Sequence, residues 1–329
     1  MVRPAALTIC RRRCGKGFVF LDEDRRPVAD PARVAWYRSL AVPPAYAGVR
    51  YAADDSAHLQ AVGLDAAGRL QYRYHPRWAE VREELKARRL NELAKALPGL
   101  RRAVGRALAA DLPDRRFAVA AVVELVSLTA IRAGSEEYAR ERGTRGAATL
   151  LKSNLRLVSD DAVVLHFKAK GGKVVTKEVR CARFSRALAR LMRLPGRRVF
   201  QYRDSAGQTH PVRAGDVNQF LREVAGRPIS LKDFRTLVAS ASALRALAAT
   251  APAESKAKRR RQVRQAVLEV AEQLANTPTV CRTSYVHDAV IDAFEAGALQ
   301  RLPAVKAKSA VAQAELLAKV VARAKRAVS

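Results

Sequence analysis

The sequence predicts an α+β protein: a small β-rich N-terminal part followed by a larger, mainly α-helical part with a β-hairpin inserted in it. Three observations predict this. Strand-like alternation and turn residues run to about Trp78, and apolar residues recur at three- and four-residue steps after it. That helical pattern is then interrupted around Gly171-Gly172 by a segment rich in β-branched residues. A chain of 329 residues is long enough for two domains with separate cores, and the change of pattern sets their expected limits at 1–78 and 79–329.

In the first part, GFVFLD reads as a strand and VPPAY as an irregular Pro-rich stretch. HLQAVGLDAAGRLQYRYH reads as two strands about a turn at Asp65-Ala66-Ala67-Gly68. The second part opens on WAEVREELKARRLNELAKALPGLRRAVGRALAADL, whose helical period is expected to break at Pro98-Gly99. FAVAAVVELVSLTAIRAG is apolar enough for a buried helix and is expected to end near Gly134. AVVLHFKAKGGKVVTKEVR and RVFQYRD supply the β insertion, with basic residues at its turn. NQFLREVAG is helical up to Gly226-Arg227-Pro228, and KAKRRRQVRQAVLEVAEQLA forms a helix with six Lys/Arg between Lys256 and Arg264. One more Ala- and Lys-rich helix is expected from Val305 to Arg326.

The chain carries 61 Lys+Arg against 31 Asp+Glu, a formal net charge of +30, of which residues up to Trp78 hold only thirteen Lys/Arg against seven Asp/Glu. A surplus of this size repels itself and is relieved by a polyanion that releases counterions on binding, so nucleic acid is the expected partner. No apolar run is long enough to cross a bilayer, and the first arginines follow the short apolar PAALTIC rather than precede it. Neither a membrane span nor a signal peptide is therefore expected. Cys10, Cys14, Cys181 and Cys281 are too scattered for a disulfide framework, which fits a reducing compartment, and no histidine near Cys10 and Cys14 completes a zinc site.

CGKGF and KAKGGKV do not follow the P-loop pattern, and the acid pairs Asp54-Asp55 and Asp160-Asp161 sit in turn contexts rather than in a metal-binding cluster. No metal or other cofactor is expected. What remains is chemistry in which Arg and Lys stabilise a transferring phosphoryl group while a side-chain oxygen attacks it. Composition alone does not select the residues.

Separated segments do. TAIRAGSEEYARERGTRGAATLL, FKAKGGK, LKDFRT and NTPTVCRTSYVHDAVIDAF occur in that order, preceded by GRLQYRYHPRW. Together they resemble the poxvirus and bacterial type IB DNA topoisomerases over roughly residues 15–300. The resemblance implies a DNA-clamping β-rich domain and a catalytic domain related to the tyrosine-recombinase catalytic fold. It also implies relaxation of supercoiled duplex DNA by single-strand cleavage, a 3′-phosphotyrosyl intermediate, strand rotation and religation, without ATP. The implied state is a monomer on double-stranded DNA, in the cytoplasm at the nucleoid.

Residue by residue, the resemblance makes Tyr285 the nucleophile and Arg132 and Arg235 the donors to the nonbridging oxygens of the scissile phosphate. It makes Lys170 the general acid that protonates the departing 5′ oxygen, a role for which Lys168 and Lys173 are close competitors in sequence. Many family members carry histidine where this chain has Asn276; an amide donates a hydrogen bond but transfers no proton, so electrostatic stabilisation is the expected role. Tyr138, Lys152 and Lys232 are expected to contact the DNA backbone, and Gln71, Tyr72 and Tyr74 to contact DNA from the clamp. Without the resemblance, Arg132 reads as a surface arginine paired with Glu136 or Glu137, Asn276 as a turn cap, and the tyrosines as packing residues. A tyrosine recombinase and a noncatalytic chromosome-architectural protein are the competing functions at this level.

Overall fold

The computed structural model describes residues 2–302 and 309–328. It divides into two compact units, Met1–Glu84 and Leu85–Ser329. In the first unit, strands β1 (Ile9–Cys14) and β2 (Gly17–Leu21) precede helix α1 (Pro31–Ser39), which is followed by β3 (Ala47–Tyr51), β4 (Leu59–Leu64) and β5 (Leu70–Tyr74). The strands form one antiparallel sheet in the order β2-β1-β3-β4-β5. The expected β4–β5 hairpin is present: Asp65 accepts from the Ala67 and Arg69 amides, and Gly68 takes the left-handed conformation at φ 68°. Arg69 holds the Asp65 carboxyl down to about 2.

α1 was not anticipated from the pattern, although Asp30 caps it by accepting from Ala32 N and Pro31 opens it. Its Tyr37 is the reason it forms: the ring lies 5.1 Å from Phe20 and 5.4 Å from Tyr51, so the helix closes the aromatic core of the sheet.

Helix α2 (Trp78–Ala109) contains the division between the units, which falls after Glu84, whereas the sequence pattern changes at Trp78. It is followed by α3 (Arg115–Thr129) and α4 (Glu136–Arg142). A three-stranded antiparallel sheet of β6 (Leu155–Leu157), β7 (Ala162–Lys168) and β8 (Val174–Arg180) comes next, then α5 (Ala182–Met192). A separate ribbon pairs β9 (Gln201–Arg203) with β10 (Thr209–Pro211). Helices α6 (Ala214–Ala225), α7 (Leu231–Ala248), α8 (Lys256–Gln273), α9 (Pro278–Ser284), α10 (Asp288–Glu295) and α11 (Ala310–Val328) complete the unit. No described helix is long and apolar enough to cross a membrane.

Several expectations are corrected. The helix does not break at Pro98: α2 runs through it because Leu90, Leu93, Ala94, Leu97, Leu100 and Val104 continue one buried stripe on both sides, and that packing outweighs the lost backbone bond. α3 stops at Thr129 rather than near Gly134. Thr129 Oγ1 bonds Leu125 O, and Ala130 turns left-handed at φ 52° while its N–H bonds Val126 O at 2.8 Å. RVFQYRD belongs to the β9–β10 ribbon, not to the Gly171-Gly172 hairpin. Of the helix expected from Val305, residues 305–308 lie outside the described residues.

The early end of α3 frees the segment carrying Arg132, and two glycines fix its course. Ala147 N bonds Arg132 O, and Ala148 N bonds Ala133 O, both at 2.8 Å. This brings Gly146 so close that a Cβ there would lie 2.4 Å from Gly134 N and 2.6 Å from Arg132 O, backbone atoms that cannot swing aside. Gly146→Ala is therefore expected to destabilise the protein by roughly 2 kcal/mol or more, the scale of overpacking a tight contact. Thermal unfolding followed by circular dichroism measures it; an unchanged midpoint would mean that the crossing tolerates a side chain.

Candidate active site

The site grows from the first two turns of α7. Asp233 Oδ2 accepts from both Ser230 N and Ser230 Oγ, which starts the helix, and the next inward-facing residue after Phe234 is Arg235. Arg235 is only 3% exposed. Its Nη1 donates to Ala130 O and its Nη2 to Leu274 O at 3.1 Å, carbonyls at the C-terminal ends of α3 and α8. Helix C-termini offer unpaired carbonyls and a partial negative charge, which suits a buried cation. Burial pulls the Arg235 pKa below its ordinary value, with Tyr285 opposing the shift and Arg132 adding to it.

Tyr285 follows from that placement. It terminates α9, its N–H bonding Cys281 O at 3.0 Å, and its ring centre is 5.0 Å from the Arg235 guanidinium carbon. Ser240, one and a half turns further along α7, donates through Oγ to Tyr285 O at 2.9 Å and accepts from His287 N at 3.1 Å. Two residues of one helix thus hold the ring and the backbone of Tyr285. The neighbouring Cys281 thiol is pushed up to about 11 by burial, so it is a packed, protonated group.

Arg132 and Asn276 meet beside this pair. Asn276 N bonds Ala271 O at 2.8 Å after Ala275 turns left-handed at φ 49°, which carries the side chain under Arg132. Arg132 Nη2 donates to Asn276 Oδ1. Asn276 is 6% exposed, and its Nδ2 is buried with no hydrogen-bond partner. That leaves a donor at the site without an acceptor.

The β7–β8 hairpin reaches the same region. Lys170 lies at its exposed tip, with its ammonium 5.7 Å from the centre of the Tyr138 ring, and Arg142 covers that ring at 5.2 Å. It is Lys173, not Lys170, whose Nζ bonds Asn276 O, at 2.9 Å. Lys177 Nζ bonds Gln273 O at 2.7 Å, and Lys177 lines a recess with Arg132, Arg145 and Arg235. Of the other expected backbone contacts, Lys232 is exposed on the first turn of α7, whereas Lys152 donates to Leu194 O.

Sequence reasoning did not single out Lys177 or Arg145, and it named Lys173 only as a competitor for the role of Lys170. For Lys177 a signal existed: it falls on the inward side of β8 between buried Val175 and Val179, an odd place for a solvated lysine. In the N-terminal unit, Tyr72 and Tyr74 are both nearly half exposed and stack at 6.0 Å, and Tyr74 stacks on Trp78 at 5.7 Å. Gln71, on the opposite face of β5, is bonded through Nε2 to Asp65 Oδ2 at 2.8 Å and braces the turn.

The family described as eukaryotic DNA topoisomerase I, catalytic core, matches residues 76–312, and the bacterial DNA topoisomerase IB N-terminal domain matches residues 17–65. DNA topoisomerase 1B of Acanthamoeba polyphaga mimivirus is 28% identical over 294 residues, covering 87% of each chain. Among solved structures, the XerH site-specific recombinase bound to its difH substrate in a pre-cleavage complex is similar over 60% of this chain and 49% of that one, at 15% identity and a TM-score of 0.35. The catalytic-core match spans most of the chain, including every segment that meets around Arg235, and the N-terminal match lies within the five-stranded unit: the chain belongs to the type IB DNA topoisomerases.

Proposed function

We propose that the protein relaxes supercoiled duplex DNA by reversible transfer of a strand to Tyr285. The observation that carries this reading is the buried Arg235 guanidinium against the Tyr285 ring, beside an Arg132–Asn276 pair whose amide donor has no acceptor. A phosphodiester brought to this point supplies the missing acceptor and the missing negative charge together.

In the forward step, Tyr285 Oη bonds to phosphorus, its proton passing to solvent, and the P–O5′ bond breaks. Arg132, Arg235 and Asn276 Nδ2 donate to the nonbridging oxygens, where charge grows in the transition state. Lys170 gives a proton to the departing 5′ oxygen, moving from its position over Tyr138 at the hairpin tip. One phosphoester replaces another, so no ATP is consumed. The free 5′ hydroxyl then turns about the intact strand, driven by torsional strain, and attacks the phosphotyrosine to restore the backbone.

DNA is held by the residues outside this set. Tyr138, Lys152 and Lys232 would contact the backbone near the cut, and the Tyr72–Tyr74 stack would contact the duplex from a clamping domain spanning 1–78, with Gln71 bracing the turn behind it, the catalytic domain spanning 79–329. Tyr138 presents a cation-flanked ring, and Lys152 would exchange the Leu194 carbonyl for a phosphate. The protein would act as a monomer at the nucleoid.

Purified protein is expected to relax positive and negative supercoils in EDTA without ATP. Tyr285→Phe should bind DNA with unchanged affinity yet form no covalent adduct on denaturing gels; an adduct in that variant would remove Tyr285 as nucleophile. Asn276→Ala should slow single-turnover cleavage by about 10²-fold, the scale of one lost transition-state donor. Because an amide does not titrate, the shape of the pH–rate profile should be the same in this variant, and a lost pH limb would contradict the donor role.

A further inference from the structure

Lys173, just before β8, and Lys177, within it, have no role assigned by the family resemblance, and both are committed to one place. Lys173 Nζ bonds Asn276 O and Lys177 Nζ bonds Gln273 O. These carbonyls are at and just past the C-terminal end of α8, where the last carbonyls lack intrahelical partners and the helix dipole is negative. Lys177 is no solvated charge either: burial, then Arg235, push its pKa below the usual lysine value.

The two sides of this contact differ in how firmly they are held. On the α8 side, Leu274 and Asn276 are buried, Ala275 packs on the core, and Leu274 O is fixed by Arg235. On the hairpin side, Lys170 is exposed, and Gly171 and Gly172 both sit at positive φ, 81° and 78°. The seven-pair β7–β8 ladder and the Arg145 N–Lys168 O bond at 2.7 Å hold the hairpin to its own surroundings, and the two lysine bonds link it to the α8 turn.

We propose that Lys173 and Lys177 are positioning residues that pin the Lys170 hairpin to the C-terminal turn of α8, setting where the Lys170 ammonium stands relative to the phosphoryl site beside Arg132 and Asn276. This rests on the reading of Lys170 as proton donor. Because the α8 turn is the fixed partner, removing the lysines frees the tip from that turn, lets Lys170 shift, and leaves the Arg132–Asn276 pair in place. The defect falls on the leaving group alone: P–O5′ bond breaking without its proton.

A DNA duplex with sulfur in place of the bridging 5′ oxygen tests this, since a thiolate leaves without protonation. Cleavage is measured in single turnover at saturating enzyme for the wild type, Lys170→Met, the double variant Lys173→Met/Lys177→Met, and Lys173→Arg. The double variant should cleave the oxygen duplex about 10-fold to 10²-fold more slowly, the scale of a displaced catalytic group, and cleave the sulfur duplex within about threefold of the wild type. Lys173→Arg, which keeps a donor, should stay within about threefold on both. If Lys170→Met remains slow on the sulfur duplex, proton donation by Lys170 itself fails, and the pinning inference falls with it. If Lys170→Met is restored by sulfur but the double variant is equally slow on both duplexes, or as fast as the wild type on oxygen, the pinning alone is overturned. The exposed single variant Lys173→Met carries the same comparison should the double variant fail to fold.

Discussion

The catalytic unit is organised around one buried charge. Taking a guanidinium out of water costs several kcal/mol unless it is hydrogen-bonded, and both terminal nitrogens of Arg235 meet carbonyls from the ends of two helices, while its buried Nε has no partner. Satisfying Arg235 therefore fixes where α3 must stop and where α8 must stop. The residues delivered immediately after those two ends are Arg132 and Asn276. A single desolvated cation thus sets the positions of its neighbours, and its planar face sets the ring of Tyr285.

The acceptors around Arg132 and Arg235 are neutral. Arg132 is held by an amide oxygen and Arg235 by peptide carbonyls, while other arginines of the same unit pair with carboxylates, as Arg183 does with Glu124 and Arg115 with Asp216. Neutral acceptors orient a guanidinium without cancelling its charge. Both groups keep their full electrostatic demand, and the overall charge of +30 supplies the long-range attraction that brings a polyanion to them.

Much of the fold was legible in the sequence because period and turn chemistry are local. The β4–β5 hairpin followed from its Asp-Ala-Ala-Gly turn, and α6 ended at Gly226 as its residues required. α1 and the continuity of α2 through Pro98 were not legible, since both are decided by partners distant in sequence: the aromatic core around Tyr37 and the stripe that α2 buries. At the site, the segments that meet around Arg235 were all recognisable from their motifs, but their mutual contacts were not. Nothing in FKAKGGK indicates that Lys173 reaches a backbone carbonyl while Lys170 lies over Tyr138, because main-chain acceptors carry no sequence signal.

The residues just before Asn276 and two before Arg132 are alanines in the left-handed conformation, where glycine would fit without strain. Each costs on the order of 1 kcal/mol of native stability by the handedness of L-residues. Alanine also visits far fewer backbone states than glycine, so the segments carrying Arg132 and Asn276 start from a narrower range of directions. The chain accepts a slightly less stable fold in return for donors already confined before any ligand arrives; under the proposed function, that saves ordering entropy at every turnover rather than only once at folding.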